Sequence, residues 1–395
     1  MRTFQRLSVL LLAGVVLVVS IGLVYQSIAS SAGNAAPKQA TISRITPSAT
    51  SPTSVVVHST PTIAEPTPNP AKPCSSKQRS FQMGIAFPDW GTTSYGQSDT
   101  KWLAELPVMQ AKIAACWVEI PVLLHQSSLT STVVGPGSAT AQLSSFDYGV
   151  RFAHSLGLHV FVTMQLQVDG PQPWSGAIYL ATYAQQQQWF ESYWQAIQPY
   201  LKTAAQDNVE QFALGTEFAW LEQNASASLW NGLINEASQV FPGSLTYDMN
   251  WGSLQTPPPS WMRNPHLKMI GISAYSPVVN TPEWVDPQLM PSLWKQTVQP
   301  QLDNFSQELG EPIFLSEVGF PNSQDALYRP WQSTDNGTPD PAEQAAACGA
   351  VLANIIPDQH ILGSFFWGWE NAENLNLNNI QASTVIQSYY QSLQD

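Results

Sequence analysis

The segment Val209-Glu-Gln-Phe-Ala-Leu-Gly-Thr-Glu217 is a short, largely apolar run that ends in a carboxylate. A second segment of the same kind, Pro312-Ile-Phe-Leu-Ser-Glu317, ends in another glutamate. Near-continuous apolar runs of this length are typical of strands that are buried on both faces of a parallel sheet. About a hundred residues separate the two glutamates, which is the length of roughly three strand–loop–helix units of about 30 residues each. The spacing therefore predicts that these segments are the fourth and seventh strands of a barrel.

Strand-like runs recur between helix-like segments along the whole of this region. Apolar residues at helical spacing are clear, for example, in 180–208 and 291–309. Strands that alternate with helices imply a parallel sheet, and eight of them close a (β/α)8 barrel. The predicted fold class is therefore α/β, a single TIM barrel, and its weakest link is 250–267, which is rich in proline and has no helical pattern. The eight predicted strands are 82–87, 116–123, 159–166, 209–215, 244–249, 268–274, 312–316 and 361–367.

Residues 1–32 are predicted to be an export signal. An uncharged, apolar stretch at 7–25 follows Arg2 and Arg6 and precedes small residues. Both a cleaved signal peptide and an uncleaved transmembrane signal anchor fit this pattern, and the length of the stretch slightly favours the anchor. Because the positive residues stay inside, either one exports the rest of the chain. We therefore expect an extracellular protein that is tethered to the membrane by this segment or, if the segment is cleaved, secreted.

Residues 33–80 are rich in Ser, Thr and Pro and lack periodicity, so we predict a disordered linker. The remaining residues, 81–395, are predicted to form the barrel domain, whose size suits this fold. The chain carries 15 Lys and Arg against 28 Asp and Glu, a formal net charge of -13. Such an acidic protein is a poor partner for nucleic acid. No oligomeric state is predicted.

The three cysteines do not make a disulfide framework. Cys116 lies in a predicted core strand and Cys348 in a predicted helix, so buried free thiols are expected at both. Cys74, at the end of the linker, could pair with another chain. The six histidines lack the spacing of a metal site, and the chain has no phosphate-binding glycine loop and no nucleophilic-serine motif. We therefore predict no metal and no cofactor.

Glu217 and Glu317 are the candidate catalytic residues. The carboxyl ends of parallel barrel strands converge on one mouth, so both side chains are expected there. Two carboxyl groups that face each other across a cleft are the minimal machinery for hydrolysing a glycosidic bond. Either glutamate alone fits a solvated strand end at least as well. Both together, in the same local context, favour catalysis.

A set of motifs follows in order along the domain. They are Leu214-Gly-Thr-Glu217-Phe, Leu245-Thr-Tyr-Asp-Met-Asn250-Trp251, Ile272-Ser-Ala-Tyr275, Pro312-Ile-Phe-Leu-Ser-Glu317-Val-Gly-Phe320 and Phe366-Trp367-Gly-Trp369. The ordered set resembles the retaining β-mannanases of glycoside hydrolase family 113, within the clan A barrels. The resemblance extends from Gly84 to Trp369. The resemblance implies that Glu217 is the general acid/base and that Glu317 is the nucleophile.

The chain departs from the family pattern near the predicted substrate site. Gln165-Leu-Gln167 ends the third strand where the family usually has Lys-Pro-His, although Asp169 is retained nearby. Ser273 replaces an acidic residue that is common before the tyrosine of the sixth strand. These departures leave the catalytic pair intact but bear on which sugar is bound.

Seven further residues are candidates for substrate binding. Tyr275 could donate a hydrogen bond to Glu317, and Asn250 could donate one to a sugar hydroxyl; a core tyrosine and a turn asparagine are the alternatives. Gln126, at the end of the second strand, is a candidate sugar ligand. A Trp at a barrel mouth offers a flat face to a pyranose ring, but with 15 Trp in the chain many must belong to the core. The candidate tryptophans are Trp90 and Trp174 in loops and, on one face of the last strand by its alternation, Trp367 and Trp369.

The preferred hypothesis is an exported, endo-acting glycosidase on a β-linked polysaccharide, with β-1,4-mannan as the first candidate. A second hypothesis keeps the mechanism and changes the sugar to another β-glycan, as the altered end of the third strand suggests. A third is a non-catalytic carbohydrate-binding protein of the cell surface. The presence of Glu217, Glu317 and Tyr275 together disfavours this third hypothesis.

Overall fold

The computed structural model describes residues 80–170, 174–332, 337–369 and 374–394. The predicted export signal and all but the last residue of the predicted linker lie outside these residues. Within the described ranges, no helix is long and apolar enough to span a membrane.

Among the described residues, eight parallel strands form the barrel. They are β1 (Gln82–Ala86), β2 (Trp117–Gln126), β3 (His159–Val168), β4 (Gln211–Thr216), β5 (Ser244–Asn250), β6 (Ile270–Ser273), β7 (Ile313–Val318) and β8 (Ile361–Phe366). Neighbours along the chain pair in sequence, and β1 pairs with both β8 and β2, so the sheet is closed. Each strand overlaps a predicted one, and the predicted (β/α)8 barrel is confirmed. A short antiparallel strand, Val134–Pro136, extends the end of β2.

Helices form the outer layer. They are α1 (Thr100–Ile113), α2 (Leu143–Ser155), α3 (Tyr183–Gln206), α4 (Ala219–Asn224), α5 (Ala227–Val240), α6 (Met290–Thr297), α7 (Gln299–Leu309), α8 (Pro341–Ile355) and α9 (Ile380–Gln394). The sequence did not predict α1, which contains Pro107, a residue that disfavours a helix interior. Its first turn is stabilised by Asp99, whose side chain accepts a hydrogen bond from the N–H of Trp102 at 3.0 Å.

The connection between β5 and β6 has no α-helix, as predicted. Two short 3₁₀ helices, Trp251–Gln255 and Ser260–Arg263, occupy it instead. Trp261 of the second one is buried and stacks on Trp230 of α5 with ring centroids 4.2 Å apart. Aromatic packing thus covers the barrel wall where a helix is missing.

Aromatic side chains fill the interior of the barrel. Phe161, Ala213, Phe314 and Phe365 form one buried cluster, and the rings of Phe161 and Phe365 lie 4.9 Å apart. Gly84 leaves room for this cluster, since a Cβ there would lie 2.2 Å from the Phe365 ring. A filled barrel is not a pore. Space for a ligand therefore lies above the cluster, at the carboxyl ends of the strands.

The cysteines differ from the prediction at one position. Cys348 is a buried free thiol, as predicted, and burial raises its pKa to about 12. Cys116, which directly precedes β2, is disulfide-bonded, so the free thiol predicted there is wrong. The free thiol was predicted because Cys116 lies in an apolar run and its nearest cysteine along the chain, Cys74, is 42 residues away. Cys74 lies outside the described residues.

Candidate active site

Glu217 follows the last residue of β4. Its φ is 56°, in the left-handed region that residues other than glycine rarely adopt. Its N–H donates to the carbonyl oxygen of Asp248 at 2.8 Å, and its own carbonyl accepts the N–H of Ala219 at 2.9 Å. Backbone strain of this kind persists where the surrounding structure holds a functional group in place.

Two neutral donors hold the Glu217 carboxyl group. Asn250 Nδ2, at the end of β5, donates to Oε1 at 2.8 Å, and Trp174 Nε1 donates to Oε2 at 3.2 Å. Trp174 packs against Gly176, where a Cβ would lie 2.3 Å from its ring. Both donors were predicted as substrate contacts, and the structure places them against Glu217 itself.

Glu317 lies on β7 and is 7% exposed. Tyr275 Oη donates to its Oε2 at 3.1 Å, as predicted. Gln165 Nε2, on β3, donates to its Oε1 at 2.8 Å. The sequence marked Gln165 as a departure from the family pattern but did not predict it as a site residue. Two neutral donors therefore hold this carboxyl group as well.

Burial raises the pKa of both glutamates. For Glu217, hydrogen bonds, first of all from Asn250, oppose that rise. For Glu317, the negative charges of Asp248, Glu119 and Glu217 add to it. Because the two carboxyl groups repel each other, they titrate as a pair. A pair that holds one proton supplies one acid and one carboxylate.

Two further carboxyl groups are buried inside the barrel. Asp248 on β5 accepts, at Oδ1, hydrogen bonds from the hydroxyls of Ser273 at 3.1 Å and of Ser316. Glu119 on β2 accepts one from Thr163 Oγ1 at 2.7 Å. Burial raises the pKa of both acids well above the ordinary range. The sequence predicted neither as a site residue, although Asp248 lies within a quoted motif.

Glu222 of α4 supports the Glu217 side of the mouth. Its two carboxyl oxygens accept hydrogen bonds from Tyr247 Oη at 3.0 Å and from Ser253 Oγ at 2.7 Å. Tyr247 Oη in turn accepts the N–H of Phe218, next to Glu217, at 2.9 Å. Burial raises the pKa of Glu222 to about 8, so its proton stays bound at neutral pH.

Neutral groups are the hydrogen-bond partners of the carboxyl groups at this mouth: amides, hydroxyls and indole N–H groups. In the part of the chain that the structure describes, no group of three or more His, Cys, Asp or Glu side chains is placed to hold a metal ion. Because neutral partners leave the charge of a buried carboxylate uncompensated, burial favours the protonated form of these acids.

Tryptophans line the mouth beside Glu317. Trp367 is 7% exposed and packs with Tyr275. Trp90, Trp251 and Trp331 pack against that cluster, and the rings of Trp251 and Trp331 stack with centroids 5.3 Å apart. The structure thus brings the predicted Trp90 and Trp367 together. The sequence did not predict Trp251 or Trp331 as site residues, although Trp251 directly follows β5.

Two predicted substrate contacts lie in the layer between strands and helices instead. Gln126 has no exposed surface; it accepts a hydrogen bond from Trp189 of α3 at 2.7 Å. Trp369 also has no exposed surface, and its Nε1 donates to Glu105 of α1 at 3.4 Å. Neither can contact a sugar. The prediction for Trp369 relied on strand alternation, but β8 ends at Phe366.

The family model of Glycoside Hydrolase Family 113 matches residues 88–389. Among solved structures, a complex of a family 113 β-1,4-mannanase is 23% identical with a TM-score of 0.67, and the match covers 80% of this chain and 100% of that one. The family 113 β-mannanase AaManA from Alicyclobacillus acidocaldarius, in complex with ManMIm, is 21% identical with a TM-score of 0.65, covering 81% and 99%. No curated protein matches the chain.

The structural matches establish a shared barrel. The family match goes further, because it spans most of the chain and includes both Glu217 and Glu317. Two carboxyl groups that face one mouth, buried Glu317 and half-buried Glu217, are what a family of glycoside hydrolases requires. The chain therefore belongs to glycoside hydrolase family 113 and is a glycosidase.

Proposed function

We propose that the protein is an exported, retaining glycosidase that cuts β-1,4-mannan within the chain. The observation that carries this proposal is the pair of glutamates at one mouth, Glu317 buried and Glu217 half-buried, each held by two neutral donors. Retention requires the two carboxyl groups to lie about 5–5.5 Å apart. Glu317 is then the nucleophile and Glu217 the general acid/base.

In the first step Glu317 attacks the anomeric carbon while the bond to the leaving oxygen breaks. Glu217 gives its proton to that oxygen, so the leaving chain departs as an alcohol. The raised pKa of Glu217, caused by burial, keeps this proton available. Tyr275 and Gln165 orient the attacking carboxylate through its two oxygens.

In the second step a water molecule attacks the anomeric carbon of the glycosyl–enzyme ester. Glu217, now ionised, takes a proton from that water, and Glu317 leaves as a carboxylate. Asn250 and Trp174 stabilise the ionised form of Glu217 during this step, since both donate to it. The sugar is released with its original anomeric configuration, and Glu217 is again protonated.

Mannan is the first candidate substrate because the solved relatives are β-mannanases. Trp367, an aromatic side chain at the mouth that is 7% exposed, is the candidate contact for a pyranose ring. Another β-glycan is the second candidate, because Gln165 and Gln167 replace basic residues that are usual in the family. The intact set of donors to Glu217 and Glu317 disfavours a non-catalytic binding protein, which would not need them.

Export is supported by one observation. Cys116 is disulfide-bonded, and structural disulfides persist mainly in oxidising compartments outside the cytosol.

The test is reducing-sugar release by the full chain from mannan, glucomannan, xylan and mixed-linkage glucan. NMR of the first product from the preferred polymer reports its anomeric configuration. We expect hydrolysis of a β-mannan and an initial β-anomer. Hydrolysis of a different polymer would select the second candidate substrate, an initial α-anomer would refute retention, and binding without hydrolysis would favour the non-catalytic hypothesis.

A further inference from the structure

Asp248 is connected to both members of the catalytic pair. Its backbone carbonyl oxygen accepts the N–H of Glu217 at 2.8 Å. Its side-chain Oδ1 accepts the hydroxyl of Ser316, which directly precedes Glu317, and that of Ser273 at 3.1 Å. Ser273 is itself the register partner of Glu317 between β6 and β7. A single residue of β5 thus joins the backbone that carries Glu217 to the strands around Glu317.

The second carboxyl oxygen of Asp248, Oδ2, is buried and has no hydrogen-bond partner among the described residues. The titratable groups around the side chain are carboxyl groups. They are Glu119 of β2, Glu217 after β4, Glu222 of α4 and Glu317 of β7. An ionised Asp248 would be a buried negative charge among like charges, which is costly. A protonated Oδ2 avoids that charge and leaves only the smaller cost of a buried O–H group that has no acceptor among the described residues.

We propose that Asp248 is a positioning residue that works as a neutral carboxylic acid and holds the two catalytic glutamates in register. In this form Oδ1 accepts both serine hydroxyls while Oδ2 keeps the proton. The inference rests on the proposed roles of Glu217 and Glu317.

A neutral Asp248 also has an electrostatic consequence for the nucleophile. After burial, the charge of Asp248 is the largest cause that raises the pKa of Glu317. A proton on Asp248 removes that charge. Glu317 can then be ionised, as an attacking carboxylate must be, while Glu217 keeps the proton that it needs as an acid. Asp248 thus places the negative charge of the cluster on the nucleophile.

The protonation state of Asp248 can be measured without any activity. Aspartates labelled with carbon-13 at the side-chain carboxyl group give NMR signals in the full chain, and the Asp248 signal is the one lost in Asp248→Asn. An aspartate with the ordinary pKa of about 3.9 is ionised from about pH 5 upward. We expect the Asp248 signal to keep the chemical shift of a protonated carboxyl group from about pH 5 to about pH 8. An ionised signal at neutral pH would overturn the proposal.

Two variants test the positioning role. Asp248→Asn keeps a neutral side chain with an acceptor for the serines, so we expect kcat/KM within about twofold of the wild type. Asp248→Ala removes the acceptor, and we expect kcat to fall about a hundredfold with little change in KM, the scale for a displacement of about 1 Å. Ser316→Ala removes one of the two hydrogen bonds to Asp248 and should lower kcat by a smaller factor. It replaces Asp248→Ala as the test if that variant does not fold. Asp303→Asn, an exposed position on α7, is the matched control.

The pH profile separates the neutral from the ionised form. The acid limb of kcat/KM reports the ionisation of Glu317. If Asp248 is neutral, this limb lies at the same pH in Asp248→Asn as in the wild type. If Asp248 is ionised, the same variant removes a repelling charge and moves that limb down by about one pH unit or more. Such a shift, or an Asp248→Asn variant as inactive as Asp248→Ala, would refute the proposal. A wild type that cuts no polymer would refute the proposed function instead, and the NMR result would still decide the state of Asp248.

Discussion

Carboxyl groups at the two ends of the barrel have pKa values shifted in opposite directions. At the mouth, Glu217 and Glu317 accept hydrogen bonds from amide, indole and phenol groups, and burial raises their pKa. At the other end, Glu210, which directly precedes β4, accepts hydrogen bonds from His154 Nε2 at 3.2 Å and His159 Nδ1 at 3.1 Å. Burial opposes ionisation there too, but the hydrogen bonds lower the pKa of Glu210 to about 2.

The chemistry of the partner contributes to this difference, together with the greater exposure of Glu210, whose side chain is 28% exposed. An imidazole ring can carry a compensating positive charge, whereas a neutral donor leaves a buried carboxylate uncompensated. Glu210 is therefore held as a carboxylate and suits a structural role. The pair at the mouth can exchange a proton, which an acid/base catalyst requires.

The largest expected effect on activity comes from replacing either catalytic glutamate by a neutral glutamine. Glu217→Gln should lower kcat by about 10²- to 10⁴-fold, the usual contribution of general acid–base catalysis. Glu317→Gln should lower it at least as much, because the covalent step is lost. Neither change should reduce the free energy of unfolding, since each relieves repulsion between buried like charges. Reducing-sugar release and urea denaturation measure the two quantities. Full activity in either variant would show that the catalytic residues lie elsewhere.

Glu210→Gln should give the reverse result. Activity should be retained, and the free energy of unfolding should fall by about 2 kcal/mol at neutral pH, because hydrogen bonds to a charged group are lost. The folded pKa of Glu210, about 2, lies below the ordinary 4.5. Its contribution to stability is therefore full above about pH 4.5 and is lost as the pH falls towards 2.

Urea denaturation at a series of pH values measures this contribution. Glu191→Gln, an exposed glutamate of α3, is the matched control. A deficit in Glu210→Gln that does not shrink in acid would mean that packing, rather than charge, is responsible.

A smaller effect separates the mouth from the strand–helix layer. Trp367→Ala should raise KM about tenfold, since loss of an aromatic contact costs up to about 1.5 kcal/mol. Trp369→Phe should leave KM unchanged, because that ring is buried between β8 and α1. Initial rates on the preferred polymer test both. Equal effects on KM would mean that the two rings do not differ in access to the substrate.

The barrel could be predicted from the sequence because each strand is a separate apolar run. Glu217 directly follows β4 and Glu317 is the next-to-last residue of β7, and these two glutamates mark the mouth. The direction in which an individual side chain points was harder to predict. Gln126 and Trp369 both lie at or beyond the end of a strand, where alternation no longer fixes which way a side chain points. Helix α1 was missed because Pro107 opposes a helix locally, while the contacts of its buried face are formed only in the folded chain.

The residues around the catalytic pair were predictable only in part. Tyr275 was identified with its role because it follows the end of β6, the strand that pairs with the one carrying Glu317. Gln165 and Asp248 were not, since a polar residue within an apolar run gives no sign of which partner it meets across the barrel. Their contacts join β3 to β7 and β5 to β7, and such pairings depend on closure of the sheet. The local sequence pattern therefore predicts where the strands end, but not the side-chain hydrogen bonds between different strands.

The smallest expected effect tests whether the hydrogen bond from Trp174 lowers the pKa of Glu217. Trp174→Phe removes the N–H that donates to Glu217 Oε2 and so destabilises its ionised form. The pKa of Glu217 should rise further, and the alkaline limb of kcat/KM, where the acid loses its proton, should move up by about half a unit to one unit. Trp220→Phe removes an indole that contacts Tyr179 edge-to-face, and it should leave the limb in place. A limb that moves down in Trp174→Phe, or moves equally in both variants, would mean that neutral donors do not set the proton affinity of this mouth.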